Sequence, residues 1–277
     1  MARAHILLIP TIIASLATAR ATDEQTRELL SFTVRDKGAA PKRNDRPDAK
    51  LTEKSRTPTE TVSGSGFQLE GWRTYQFEKI PRKTRYEIVK DNGRVSLRAS
   101  SKASASALRH DISFQANELP RIRWEWKVAS SLEGADCSSK KGDDCAARIL
   151  ILYKYDPQRF GFFDRYRFEN VKTKTGTYPP GSMLVYAWVE STRKEDFFPS
   201  PYTDRARVIP VRRGPKDAGK WLTESRNHLE DYRRVFGEEP PPIEAIVILV
   251  DTDNTGEEAT AWFRSLRVSK SAEKKGR

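Results

Sequence analysis

The run Ile246-Val247-Ile248-Leu249-Val250-Asp251-Thr252-Asp253-Asn254-Thr255-Gly256 decides how the rest of the chain is to be read. Five aliphatic residues in succession leave no polar face, which is the pattern of a strand buried on both sides. The turn that follows is rich in carboxylate, hydroxyl and amide groups, so a rigid strand delivers a polar cluster to one place. Asp251, Asp253 and Asn254 are therefore the first candidate site residues.

A second strand of this kind precedes it. Residues 149–153, Ile-Leu-Ile-Leu-Tyr, are apolar on both faces, and they follow Gly142-Asp143-Asp144-Cys145-Ala146-Ala147-Arg148. A guanidinium in such a strand needs a carboxylate, because an unpaired buried charge costs several kcal/mol, on the order expected for buried ions. Asp143, Asp144, Asp251 and Asp253 are the candidate partners. Two roles stay open for Arg148: fixing the sheet through a buried ion pair, or orienting a ligand.

Residues 121–128 alternate strictly. Ile122, Trp124, Trp126 and Val128 share one face and Arg121, Arg123, Glu125 and Lys127 the other, as in a half-buried strand. Two tryptophans on one face make either a core or a stacking platform, and core is the commoner use. Strand pattern recurs at 86–89 and 95–99, around the hairpin signal Asp91-Asn92-Gly93. It recurs again at 183–189, which contains Tyr186 and Trp188, at 207–211 and at 259–268. One helix is expected over 222–236, with Leu222, Leu229, Tyr232, Val235 and Phe236 as its apolar stripe and Gly237 before a Pro run as its stop. The aromatic and basic stretch 158–178 matches neither period and reads as a long loop packed over a sheet edge. Many short strands, one helix and no βαβ rhythm give an all-β fold, an antiparallel β-sandwich of jelly-roll or lectin-like type.

The ends of the chain differ in texture. Arg3, the apolar residues 6–16 and Ala19-Arg20-Ala21 have the order of a secretory signal peptide over residues 1–21, with an uncut signal anchor as the alternative. Residues 22–65 read as a mostly disordered linker, since bulky apolar side chains are nearly absent after Val34, while 29–34 could add an edge strand or remain loose. The sandwich domain is expected over 66–269 and a basic tail over 270–277. These features predict a periplasmic or secreted protein whose mature part has no transmembrane segment. In that compartment Cys137 and Cys145 are expected to form a disulfide, the alternatives being free thiols or half of a metal site. Only three histidines, His5, His110 and His228, are available, which argues against a Cys/His zinc centre.

In their order along the chain, Trp124-Glu125-Trp126, Gly142-Asp143-Asp144 with Ala147-Arg148, Tyr186-Ala187-Trp188, Trp221 with Arg226-Asn227, residues 231–237 and residues 251–256 resemble the domain of unknown function 3047 family of exported bacterial proteins. The resemblance spans roughly residues 66–268. It implies a sandwich fold and brings no activity with it. The cysteine pair and the aromatic-basic stretch depart from the family pattern.

A formal charge of +12 favours anionic surroundings, but no nucleic-acid recognition motif accompanies it. The reading that these features favour is a non-catalytic binding module for a carbohydrate or another, acidic, envelope polymer. Its candidate residues are Asp143, Asp144, Arg148, Tyr186, Trp188, Arg226, Asn227, Asp251, Asp253 and Asn254, which combine groups able to fix hydroxyls with rings able to cover sugar faces. Two alternatives stand beside it: a polysaccharide-active enzyme using an Asp pair, and a structural envelope protein whose Asp and Arg residues only hold the sheets. No nucleophile elbow, phosphate loop or zinc-hydrolase motif occurs. No cofactor or metal is assigned. Asp251-x-Asp253-x-Thr255-Gly256 resembles the first half of a calcium loop, yet Trp262 stands where a bidentate Glu is needed, so a Ca2+ site would have to be completed by Asp143 or Asp144.

Overall fold

The computed structural model describes residues 26–34, 63–64, 67–91, 93–190 and 194–271. The expected signal peptide, most of the expected linker and all but the start of the basic tail lie outside these residues. The strands are β1 (Thr26–Glu28), β2 (Phe32–Val34), β3 (Ser63–Gly64), β4 (Phe67–Leu69), β5 (Trp72–Gln76), β6 (Arg85–Asp91), β7 (Arg94–Lys102), β8 (Ser106–Phe114), β9 (Arg121–Val128), β10 (Cys145–Tyr153), β11 (Ser182–Val189), β12 (Phe198–Ser200), β13 (Thr203–Arg213), β14 (Leu222–Asn227), β15 (Ile243–Asp251) and β16 (Glu258–Ser269). The helices are α1 (Phe162–Thr175) and α2 (His228–Phe236).

Two large sheets face each other. One has the order β14-β9-β16-β7-β6 with β1 added to β16, and the other the order β12-β13-β11-β10-β15-β8-β5. The strands β7, β8, β9 and β10 alternate between the two sheets, and so do β14, β15 and β16, which is the winding of a jelly roll. A small third sheet joins β2, β4 and β3. The β-sandwich expectation is met, with one departure from the antiparallel rule. The β11 and β13 strands pair in parallel, because the chain runs from β11 to the edge strand β12 and then turns back as β13 between them.

The core lies where the inner faces meet. Ile122, Trp124, Trp126 and Val128 of β9 are all 0 % exposed, so this face is core. The two indoles meet edge to face, with ring centroids 5.4 Å apart. The both-faced strands are neighbours at the centre of the seven-stranded sheet: β10 pairs with β15, Ile149 opposite Ile248 and Ile151 opposite Ile246. Their inner side chains join the core, while Leu152, Ala245, Val247 and Leu249 form an apolar cluster on the outer face with Ala107. This explains the unbroken aliphatic run at 246–250. The hairpin over 86–99 also forms, with Asp91 opposite Arg94 and Gly93 at φ 77°, a value that glycine adopts without strain.

The helix expectation needs two corrections. Leu222–Asn227 is strand β14, paired with β9, and α2 starts only at His228. The side chains of Leu222, Glu224 and Arg226 lie opposite those of Trp126, Trp124 and Ile122, so Leu222 belongs to a strand face and not to the helical stripe. Asn227 caps the helix by accepting a hydrogen bond from the Glu230 amide at 3.3 Å. The second correction is α1, which occupies most of the stretch read as a loop. None of its side chains is buried, so it carries no apolar stripe for a periodic reading to find. It is held to the body by Phe168, whose ring stacks on Tyr155 at 4.0 Å. Ahead of the main body, β1 pairs with the end of β16 and Leu29 and Leu30 are buried, so part of the interval 22–65 is built into the fold. No helix among the described residues is long and apolar enough to cross a membrane.

Candidate functional site

The register of the central pair creates the site. Cys145 at the start of β10 lies opposite Asp251 at the end of β15, and the pairing is irregular between Cys145 and Arg148. This places Arg148 beside Leu249 on the outer face, at the end of the sheet where the 251–256 turn begins. The Cys137–Cys145 disulfide ties the preceding loop to the sheet. Within that loop Gly142 passes close to Asp136, where an added Cβ would come within 2.8 Å of the Asp136 amide nitrogen. The turn therefore presents Asp143 and Asp144 next to the end of β15.

Six candidates converge here: Asp143, Asp144, Arg148, Asp251, Asp253 and Asn254. Nη2 of Arg148 donates to the Asp143 carbonyl at 2.6 Å and lies 3.3 Å from Asp143 Oδ1 and 3.2 Å from Asp251 Oδ2. Nε of Arg148 is buried and has no acceptor. Oδ2 of Asp144 accepts from the Thr255 amide at 2.7 Å, and its Oδ1 accepts from the Asn254 amide and Nδ2, each at 3.3 Å. The Cys145 amide donates to Asp251 Oδ1 at 3.4 Å. Thr252, fully buried, shares a hydrogen bond with Ser101 at 2.9 Å and anchors the turn to β7. Asp143, Asp144, Arg148 and Asp251 are thus buried, Asp253 is half-buried and Asn254 is exposed. A polar base lies below and two polar side chains stand at the rim.

Four carboxylates surround one guanidinium, and the electrostatics follow from that imbalance. Burial raises the Asp251 carboxyl to about 7; Arg148 opposes the shift, and Asp143, Asp144 and Asp253 add to it. Burial likewise raises Asp143 against the pull of Arg148, and burial followed by Asp144 raises Asp253. Carboxylate oxygens of Asp144, Asp251 and Asp253 can approach within 4.8 Å of one another. That all-oxygen set suits a hard divalent cation, which would compete with Arg148 for Asp251 and with main-chain amides for Asp144.

The other four candidates lie elsewhere. Tyr186 and Trp188 face the core, at 0 and 1 % exposure. Oη of Tyr186 donates to Asp231 Oδ2 at 2.9 Å, and Nε1 of Trp188 to the Gly214 carbonyl at 3.1 Å. Arg226 makes a two-pronged pair with Asp231, at 3.0 Å from Nε and 2.6 Å from Nη2. Asn227 is the α2 cap.

Tyr202 was not among the sequence candidates. It is 59 % exposed, and burial and then the charges of Asp143 and Asp253 raise its hydroxyl pKa. Its Oη donates to the Lys140 carbonyl at 3.3 Å. The available signal was Pro199-Ser200-Pro201-Tyr202, a turn composition that lifts an aromatic out of the sheet.

The sequence profile of a family described as protein of unknown function (DUF3047) matches residues 70–267. The chain belongs to that family. Its matched span contains all ten candidates and both cysteines. No curated protein matches the chain. Among solved structures, it is similar to the family 11 carbohydrate-binding module of the cellulosomal cellulase Lic26A-Cel5E of Clostridium thermocellum, at 12% identity and TM-score 0.36, over 74% of this chain and 90% of that one. It is similar to endoglucanase 3 of Trichoderma harzianum, from glycoside hydrolase family 12, at 9% identity and TM-score 0.38, over 79% and 98%. It is also similar to the xyloglucanase domain of NopAA from Sinorhizobium fredii, solved with cellobiose, at 10% identity and TM-score 0.38, over 76% and 97%.

Proposed function

We propose that the chain is an exported, non-catalytic binding module for a carbohydrate or another envelope polymer, and that it binds where β10 and β15 meet the 251–256 turn. The observation that carries this reading is the convergence of six separated polar residues, with one buried donor, Arg148 Nε, left without an acceptor, near the loop to which the exposed Tyr202 is hydrogen-bonded. A hydroxyl-rich ligand suits such a place. Carboxylates and the Asn254 amide can accept from and donate to hydroxyls, while the Tyr202 ring can cover the apolar face of a sugar. Tyr186, Trp188, Arg226 and Asn227 have structural partners and take no part in this reading.

The test is binding of a panel of neutral and acidic polysaccharides, by array and then by calorimetry, to the wild type and to Tyr202→Ala, Asp253→Asn and Asn254→Ala. These side chains stand at the rim, so the variants are expected to keep the wild-type melting temperature and lose binding. Binding equal to wild type in all three sinks the proposal. One observation favours a catalytic version: Asp251, held to about 7, lies in the same carboxylate group as the more accessible Asp253. Turnover of a bound polysaccharide, abolished by Asp251→Asn and by Asp253→Asn, would replace binding module with hydrolase. Export is tested separately, by mass spectrometry of the N-terminus of the cellular protein, where an intact residue 1–21 segment would remove the envelope assignment.

A further inference from the structure

The least economical feature of the molecule is the exposed start of α1. Phe162, Phe163 and Tyr166 are 71, 79 and 63 % exposed, three large rings within the first two turns of one helix. At 100° per residue they fall within an arc of about 100°, so they form one knob, and the Phe162 and Phe163 rings touch edge to face at 5.7 Å. The side of the helix that carries Phe168 is the one held to the body, through Tyr155, Phe160 and Tyr178. Solvated aromatic clusters of this kind mark a contact surface.

Charge narrows the occupant. The helix carries Arg165, Arg167, Lys172 and Lys174 against Asp164 and Glu169. Asp164 lies 3.4 Å from Arg167, Glu169 accepts from the Tyr178 hydroxyl, and Lys172 donates to that hydroxyl at 3.1 Å. Arg165 and Lys174 have no carboxylate partner among the described residues. A convex knob with cations beside it is poorly suited to a second copy of the same chain, which would bring like charge to like charge. Its rings also offer only roughly 400 Å², taking about 150–250 Å² for a whole aromatic side chain, below the roughly 800 Å² per partner of a stable protein interface. A lipid surface requires neither a matching cavity nor a large patch. Aromatic rings settle at the headgroup level while neighbouring Lys and Arg meet anionic headgroups.

We infer that α1 is a docking element for an anionic lipid bilayer, with Phe162, Phe163 and Tyr166 at its N-terminal end entering the interface and Arg165, Arg167 and, in the last turn, Lys174 meeting the headgroups. This inference is independent of the polar site. The β10 strand starts at that site and ends beside the Tyr155 cluster that seats α1, and nine residues of strand span about 30 Å. A docked molecule would hold the Asp143–Asp251 cluster away from the bilayer, facing whatever lies in the space beyond it.

The experiment is co-sedimentation of the full chain with vesicles of phosphatidylcholine containing phosphatidylglycerol and with vesicles of phosphatidylcholine alone. It compares the wild type with Phe162→Ser/Phe163→Ser and with Arg165→Glu/Lys174→Glu. None of these side chains is buried, so each variant should melt as the wild type does. The wild type is expected to partition onto the anionic vesicles, and each double variant to lose that partition by about tenfold or more. Equal partition of the wild type and the Phe variant would show binding by overall charge or by another segment, and would overturn the proposal. So would absence of wild-type binding, or a wild-type dimer that the Phe variant dissolves.

Discussion

Replacing Asp251 by Asn should make the stability difference between variant and wild type depend on pH. The Asp251 carboxyl titrates near 3.8 in its usual setting and at about 7 in the folded protein, because burial outweighs the attraction of Arg148. The folded state therefore holds this proton more tightly than the unfolded state. As pH rises from about 4, the unfolded chain releases the proton first, and the contribution of Asp251 to stability falls until the folded-state pKa has been passed. At about 1.4 kcal/mol per pH unit, the whole effect is about 4 kcal/mol, of which about 3 kcal/mol should appear between pH 4.5 and pH 8. Asn has the same shape and does not titrate, and Arg148 keeps the carbonyl and carboxylate of Asp143. Carboxylates that stand lower in the folded state, such as Glu87 and Asp111, occur in both proteins and cancel. Urea unfolding at four pH values, with the variant gaining on the wild type as pH rises, is the expected result. A difference constant to within about 1 kcal/mol across this range would refute the reasoning. Such constancy would mean that the carboxylate stays ionised throughout, as it would with a bound cation, and a slope appearing on addition of chelator would identify that cause.

Arg148→Ala should cost about 3–5 kcal/mol at neutral pH by leaving Asp143 and Asp251 without their cation, and less near pH 5, where Asp251 is protonated; urea unfolding at the two pH values measures it. Added calcium should leave the wild-type melting temperature unchanged, and a rise reversed by chelator would move the cluster from ion pair to metal site. Reducing the Cys137–Cys145 bond, which closes a sequence separation of 8, should lower stability by about 2–3 kcal/mol, with two thiols then free to alkylate. Asn227→Ala should cost about 1 kcal/mol through loss of the α2 cap while leaving any ligand affinity intact.

What the sequence made legible was whatever repeats along one element. The alternation at 121–128 and the aliphatic runs at 149–153 and 246–250 identify the core faces, because burial on one face or two writes itself directly into side-chain type. The 222–227 segment reads as helix for the converse reason. Leu222 sits at a spacing that a helix would also allow, and only pairing with β9, a tertiary fact, makes it strand. The α1 helix leaves no periodic signal because it buries nothing. In the site, Asp143, Asp144, Arg148, Asp251, Asp253 and Asn254 were legible, since a charge inside an apolar strand requires a partner and few were available. Tyr202 is not, because an exposed ring in a turn has no periodic neighbours, and only the β11–β12–β13 crossover brings it to the Lys140 carbonyl.

Two arginine–aspartate pairs, one at the end of the central strands and one between β14 and α2, differ in how completely they are satisfied. Arg226 and Asp231 form a closed network. The guanidinium approaches with two nitrogens, at 3.0 and 2.6 Å, Tyr186 donates to the same carboxylate at 2.9 Å, and Nη2 of Arg234 adds a fourth contact at 3.3 Å. A carboxylate so fully supplied has little left to offer a ligand, and its work is to fix β11, β14 and α2 in place. Arg148 and Asp251 are the opposite case. They meet through one nitrogen at 3.2 Å, Nε of the arginine has no acceptor, and the carboxyl is pushed up to about 7. A pair retained only for stability would gain from the geometry that Arg226 and Asp231 achieve in the same molecule. The open pair has instead unused hydrogen-bonding capacity, beside a half-buried Asp253, an exposed Asn254 and an exposed ring, and that capacity is what a polar ligand would complete.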